Sequence, residues 1–235
     1  KYRPGYPKEV LETFRTEMNL TKDSVITDIG SGTGISAKVF LENENTVYGV
    51  EPNAAMREAA EKFLQDFPKF NSVDGTAENT TLPDDSVDFV TAAQAFHWFD
   101  AAKTRAEFGR ILSAKGFVVL IWNERQLNAN DFLRDYENFL IKFGNDYEKV
   151  RHDNIDEEKL RTFFQKDFSR KTFQNIQRLD FDGLKGRLLS SSYMPTESDE
   201  RFSAMINELK SLFDKYTENG KIELLYDTNI FYTQF

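Results

Sequence analysis

Ser24-Val25-Ile26-Thr27-Asp28-Ile29-Gly30-Ser31-Gly32-Thr33-Gly34 is a short β-branched run, then an acid, then three glycines alternating with small polar residues. The helix-like run Ile35 to Glu42 follows at once. A strand that passes into a helix through glycines leaves backbone N–H groups uncovered and lets a ligand approach the main chain, because no Cβ stands in the way. The stretch reads as a nucleotide-type cradle, with a plain tight turn as the alternative. Spacing removes two nucleotide classes. The dinucleotide fingerprint needs its third glycine at position 35, where Ile35 stands, and the phosphate loop of NTPases needs a closing Gly-Lys-Ser/Thr that does not follow.

A second acid supports the cradle. Thr46-Val47-Tyr48-Gly49-Val50 reads as the next strand, and Glu51 closes it. It lies about twenty residues beyond the glycines, where a carboxylate can accept both hydroxyls of a ribose. Two hydrogen bonds to a charged acceptor are worth roughly 1.5–3 kcal/mol each, enough to select a ribose ligand over a solvated strand end.

Composition bounds the rest. With 235 residues and 40% hydrophobic content, the chain can fill the core of one sizeable α/β domain. There are no cysteines, which excludes disulfides, thiolate metal sites and a thiol nucleophile and agrees with a cytoplasmic location. No apolar run of about eighteen residues is present, so no membrane span is expected. The net charge is −9, with basic residues dispersed among acids. Nucleic acid is thus a poor partner, since backbone binding is driven by clustered Lys and Arg. The 22 phenylalanines read mostly as core. The chain starts at Lys1 rather than a methionine, which predicts an upstream piece.

Along the chain, Lys1 to Pro7 is held extended or turned by two prolines and a glycine. Helices are expected over Lys8 to Leu20, Asn53 to Phe67 (capped by Asn53) and Ala101 to Leu112, and strands over Phe70 to Val73, Ser86 to Ala92 and Phe117 to Trp122. This alternation predicts an α/β fold: a Rossmann-like, doubly wound sheet of about seven strands, mostly parallel with the last antiparallel. Ligands in such sheets sit at the carboxyl ends of strands. That gathers Asp28 to Gly34, Glu51, Thr76 to Glu78, Gln94 to Phe99 and Trp122 to Arg125 around one crevice. Residues 123–170 read as a helical insertion, a substrate cap over the crevice within a single domain 1–235, with helices near Asp131 to Phe143 and Glu157 to Phe168. Then come a strand (Lys171 to Leu179), a helix (Asp182 to Leu189), the Ser190 to Pro195 loop, an amphipathic helix (Glu197 to Tyr216) and a period-two strand or hairpin (Ile222 to Phe235).

The succession Asp28-x-Gly30-x-Gly32-x-Gly34, Glu51, Thr76-Ala77-Glu78, Gln94-Ala95-Phe96-His97-Trp98-Phe99 and Ser113-Ala114-Lys115-Gly116 resembles, in order, the motifs of small-molecule class I methyltransferases dependent on S-adenosylmethionine (SAM). The Gln94 to Phe99 string and the Tyr2 to Pro7 opening are similar to the branch that includes trans-aconitate methyltransferases. The resemblance implies that SAM is the cofactor and S-adenosylhomocysteine (SAH) the product. It places Asp28 at the amino-acid end of SAM, Gly30, Ser31 and Gly32, ahead of Gly34, along the methionine moiety, and Glu51 at the ribose. Pro52 or Asn53 would flank the adenine, the Ala77 backbone would meet it, and Gln94 would close the site beneath the methyl donor. The Tyr2 to Tyr6 segment, Arg3 included, would fold over the cofactor. One departure is Thr76, where many relatives carry an acid for the adenine amino group, so that contact falls to main chain or to Glu78.

The implied activity is methyl transfer to a small-molecule acceptor, a carboxylate being one candidate, by a monomer or dimer. No catalytic base is assigned: His97 has the pKa for it, and is equally a packed wall residue. His152 reads as solvated. Trp98, Phe99 and Trp122 form either a substrate wall or core, and Tyr193 is placed on the substrate side. Arg125 either pairs bidentately with a substrate carboxylate or makes a surface salt bridge. Two rivals remain, a SAM- or SAH-binding regulator without turnover and a nicotinamide dehydrogenase, the latter opposed by Ile35.

Overall fold

The computed structural model describes residues 2–145, 147 and 157–235, and His152 lies outside them. The strands are β1 (Val25–Ile29), β2 (Thr46–Val50), β3 (Phe70–Val73), β4 (Val87–Ala93), β5 (Leu112–Arg125), β6 (Ser169–Leu179) and β7 (Ile222–Gln234), in the order β3-β2-β1-β4-β5-β7-β6. β1 to β5 pair in parallel. β7 runs antiparallel to β5, as the Gln126 N–H to Leu225 O and Phe235 N–H to Gly116 O bonds show, and antiparallel to β6, where Thr172 meets Asn229 and Arg178 meets Glu223.

The helices in chain order are α1 (Lys8–Glu17), α2 (Ile35–Leu41), α3 (Ala54–Phe63), α4 (Ala101–Ile111), α5 (Asp131–Phe143), α6 (Glu157–Phe164), α7 (Phe181–Leu189) and α8 (Phe202–Tyr216). The Asn53 side chain caps α3 by accepting from the Met56 N–H, as expected. Helix ends fall three or four residues short of the expected limits in α1, α3 and α6, and β5 is longer than expected. Ser113 to Gly116 lies between the expected helix and the expected strand Phe117 to Trp122. In the structure β5 begins directly after α4, because Leu112 pairs with Val87 and a bulge before Phe89 restores register.

The chain divides into two compact units. A glycine-loop unit comprises Gly5–Asn123, Asp156–Phe173 and Thr228–Phe235, and a helix-rich unit comprises Lys1–Pro4, Glu124–Ile155 and Gln174–Asp227. The stretch 123–170 is thereby shared: α5 belongs to the helix-rich unit and α6 to the glycine-loop unit.

In the glycine-loop unit, α1 lays Val10 and Phe14 against Ile26, Phe40, Phe89 and Val119 of the sheet and α2. The Phe14 ring stands 5.0 Å from Phe40 and 5.4 Å from Phe89, so aromatic edges fill the layer between helix and sheet. The core of the helix-rich unit is formed by Leu133, Tyr136 and Leu140 of α5, Leu184 and Leu188 of α7, Met205 and Leu209 of α8, and Leu224 and Tyr226 of β7. Among the described residues no helix is long and apolar enough to cross a membrane.

Candidate functional site

Strand order reverses between β1 and β4, and a crevice opens at the carboxyl ends of strands at such a switch point. The loop after β1 turns there through Gly30, Gly32 and Gly34, all left-handed at φ +66, +54 and +84°. Each glycine has its own reason. A Cβ at Gly30 would lie 2.6 Å from Cβ of Ala95 in the loop after β4, and one at Gly34 would lie 2.6 Å from Leu64 Cδ1 beyond α3. A Cβ at Gly32 would meet nothing within 4 Å. The first and third glycines therefore serve packing, and the middle one borders open space that a ligand could occupy.

The end of β2 fastens this loop. The Gly30 and Ser31 amides donate to Val50 O at 2.8 and 3.2 Å, and the Gly32 amide donates to Glu51 Oε2 at 3.0 Å. Glu51 Oε1 accepts from the Asn53 amide at 3.0 Å. Glu51 is 7% exposed, and its two backbone bonds use one lone pair on each oxygen, leaving one on each for a pair of hydroxyls. The residues fit an adenosyl group on this ground: a glycine-bordered opening and a carboxylate with spare acceptor capacity stand on neighbouring strand ends.

Asp28 departs from expectation. Its carboxylate has no exposed surface; it accepts from the Ser36 hydroxyl of α2 and meets Thr91 Oγ1 of β4 at 3.3 Å. It joins three elements beneath the loop rather than presenting itself to a ligand's amino-acid end. Burial lifts its pKa to about 6, against the Ser36 and Thr91 bonds that favour its charge, and nearby Glu51 adds to the rise.

Thr76 and Asn79 close a tight turn by exchanging backbone bonds, which places Ala77 and Glu78 on its tip. Ala77 is buried, and Glu78 Oε1 accepts the Asp100 N–H at 2.9 Å, where α4 begins, so Glu78 is part of that connection. Gln94, at the end of β4, holds φ +59° although it is not glycine, and its Nε2 donates 2.9 Å to Asn123 O. Strain of this kind gathers at ligand sites, where surrounding structure holds it in place. Pro52 is exposed beside Glu51.

The aromatic candidates separate. Trp98 is 77% exposed, in the short turn Phe96–Trp98, with the His97 ring 4.8 Å away. Trp122 is 4% exposed and edge-on to Phe96 at 6.1 Å and Phe231 at 6.3 Å. The expectation that Trp122 walls the substrate is thus corrected: it is core, buried in part by Phe231 of β7, the strand beside it in the sheet but far along the chain. Phe99 packs edge-on to Phe96 at 6.1 Å.

Tyr2, Arg3, Arg125 and Tyr193 fall in the helix-rich unit. The Tyr2 ring lies where a side chain at Gly186 would need to be, and Tyr2 O accepts from Gln177 Nε2 at 2.8 Å. Arg3 is exposed. The surface salt bridge considered for Arg125 is instead buried: its guanidinium bonds Glu137 and reaches Tyr147 Oη at 3.0 Å, with side-chain exposures of 12% for Arg125 and 9% for Glu137. Tyr193 stacks at a tilt against Tyr147, ring centres 5.0 Å apart.

One residue of the loop frame had no signal in the sequence. Arg57 Nη1 donates to Glu51 O at 2.8 Å and to Asp74 at 2.9 Å, tying the ends of β2 and β3 to α3. A single arginine on an exposed-looking helix gives no pattern to find.

Residues 27–120 match the model of the methyltransferase domain family. Two curated relatives are each similar over about half of the chain. An uncharacterized methyltransferase of Schizosaccharomyces pombe is 31% identical over 124 residues, which is 52% of this chain and 48% of that one. One of Mycobacterium bovis is 34% identical over 123 residues, again 52% and 48%. The chain thus spans about half the length of the relatives it matches. Among solved structures, one described as a type II methyltransferase from Anaeromyxobacter dehalogenans superposes with a TM-score of 0.71 at 19% identity, covering 100% of this chain and 98% of that one. Another, described as a methyltransferase of an antibiotic biosynthesis pathway in Anabaena variabilis, gives 0.67 at 23% identity, with both chains covered fully at 100%. At those identities the superpositions speak for the fold, and the family match speaks for the glycine loop and the strands around it. By the family match, residues 27–120 form a methyltransferase domain.

Proposed function

We propose that this chain transfers the methyl group of SAM to a small organic acceptor. The observation that carries the reading is Glu51: a nearly buried carboxylate at the tip of β2, bonded to the Gly32 amide and retaining acceptor capacity beside an opening that no Cβ fills. SAM, when bound, supplies an electrophilic methyl on a sulfonium. The chain's own part is to hold and align. Glu51 would take the ribose hydroxyls, the Gly30 to Gly32 backbone would line the amino-acid end, and Ala77 the adenine. Gln94, held at the end of β4 by its bond to Asn123, would border the methyl. Alignment of this kind can supply roughly 7–11 kcal/mol without a general base. Trp98, with its face exposed, would meet the acceptor. The net charge of −9 argues against a nucleic-acid acceptor.

Calorimetry with SAH, followed by incubation with labelled SAM and a small-metabolite extract, tests the reading. Binding with label transferred to a small acidic product is expected. Binding without transfer to any acceptor would favour a regulatory SAM sensor, and absence of binding would remove the proposal.

A further inference from the structure

Glu107 of α4 is a buried acid outside the set of residues proposed to touch SAM, and it anchors the chain just after the turn that carries Ala77 and Glu78. Its Oε1 accepts the Thr80 amide at 2.7 Å and the Thr80 hydroxyl at 2.6 Å, and that hydroxyl in turn accepts the Leu82 amide at 3.3 Å. Arg110, one turn along α4, grips the same carboxylate through Nε and Nη2 at 2.8 and 2.6 Å and reaches Asp84 through Nη1 at 2.6 Å. Thr80 is 0% exposed and Glu107 9%, so water does not compete for these bonds. The Arg110 bonds hold the Glu107 carboxyl down at about 2, which keeps it an acceptor for both Thr80 donors at neutral pH.

The anchor holds a backbone that residue type alone would not. Thr81 has φ +63°, and a β-branched residue in the left-handed region persists only where its surroundings over-determine it. On the other side of the turn, a Cβ at Gly75 would lie 2.8 Å from Thr80 O, so the two ends of the turn pass in close contact. Thr76 and Asn79 exchange backbone bonds at 3.0 and 3.3 Å, which makes the turn one piece that follows Thr80. Glu78 Oε1 accepts the Asp100 amide at 2.9 Å where α4 begins. Helix α4 therefore grips the turn at two points, Asp100 at its start and Glu107 about two turns on. With Thr76 in place of an acid and Glu78 engaged by Asp100, the adenine edge falls to the Ala77 main chain. A main chain has no rotamer with which to adapt, so its aim depends on the frame that carries it. We propose that Glu107 is a positioning residue: through Thr80 it fixes the Ala77 backbone at the height from which adenine is distinguished from other purines. This rests on the function proposed above.

The test uses the full chain, titrated by calorimetry with SAH and with S-inosylhomocysteine, in which an oxo group and a ring N–H replace the adenine amino group and ring nitrogen. The two ligands share shape and differ in the hydrogen-bonding edge. Wild type should prefer SAH by at least about tenfold. Glu107→Ala removes both bonds to Thr80 and should abolish that preference if the protein folds. Thr80→Val keeps the branched shape and the amide bond and loses the hydroxyl bond, so it should fold and narrow the preference by about three- to tenfold, through SAH alone. Thr80→Ser restores the hydroxyl and should restore the preference. A merely structural loss would lower the bound fraction of both ligands alike and leave their affinity ratio unmoved. Wild type without a preference, or Thr80→Val with the full preference, would overturn the role of Glu107 and leave the SAM reading standing. No heat with either ligand would remove both.

Discussion

The Gly32 amide donates to the Glu51 carboxylate at 3.0 Å, so the acid that would select the ribose also fixes the loop that would line the rest of the cofactor. Glu51→Gln keeps the size of the side chain and replaces one acceptor oxygen with an amide that faces a backbone donor, from Gly32 or from Asn53. SAH affinity should fall by about ten- to hundredfold, with about 1–3 kcal/mol lost from stability for the donor left unsatisfied. Calorimetry and a denaturant melt measure the two effects, and wild-type SAH affinity in this variant would mean that Glu51 does not hold the ribose.

The three loop glycines should respond differently to alanine. Gly34→Ala drives a methyl into Leu64 at 2.6 Å, and Gly30→Ala drives one into Ala95 at the same 2.6 Å, so both should fold poorly. Gly32→Ala meets open space and carries only the cost of a left-handed alanine, about 1 kcal/mol. It should remain folded while its methyl occupies the ligand's approach. Thermal melts with and without SAH give the comparison: a folded Gly32→Ala protein that SAH no longer stabilises is expected, and one stabilised as fully as wild type would show that the opening is not the cofactor's.

Asp28 gives a pH dependence of known sign. Its pKa in the fold is raised to about 6 by burial, from 3.8. Folding therefore favours the protonated form. The stability this contributes is fully present below pH 3.8 and is lost as pH rises through about 6. A shift of this size corresponds to roughly 3 kcal/mol. Asp28→Asn removes the titration, so its stability relative to wild type should rise from pH 4 to pH 7 by up to that amount. Urea midpoints at the two pH values measure it, and a constant difference would place the Asp28 carboxylate in a wetter setting than the structure shows.

What could be read from the sequence was local. The glycines, the strand Thr46–Val50 ending at Glu51 and the Asn53 cap depend on backbone conformation and near-neighbour spacing, which residue type reveals. Gln94 was legible as a position and not as a conformation, because only its surroundings hold a glutamine at positive φ. The inward turn of Asp28 depends on Ser36 and on Thr91, whose strand pairs with β1 from sixty-three residues away. Arg187 could not be told from a solvated helix residue, since its contacts with the Ser190 and Ser191 hydroxyls arise only once the chain turns after α7.

The two tryptophans provide the remaining prediction, which separates core from surface. Trp122 is enclosed by Phe96 and Phe231, so Trp122→Ala should cost about 3–5 kcal/mol of stability and lower activity only in proportion to the fraction unfolded. Trp98 is 77% exposed, and Trp98→Ala should change stability by less than about 0.5 kcal/mol. If Trp98 meets the acceptor, that variant should raise the acceptor KM severalfold and leave SAH affinity untouched. Tryptophan fluorescence assigns the melts, because each variant retains one emitter. A Trp98→Ala protein with an unaltered acceptor KM would return that residue to the ordinary surface, and a stable Trp122→Ala protein would contradict the packing of β5 against β7 on which the glycine-loop unit closes.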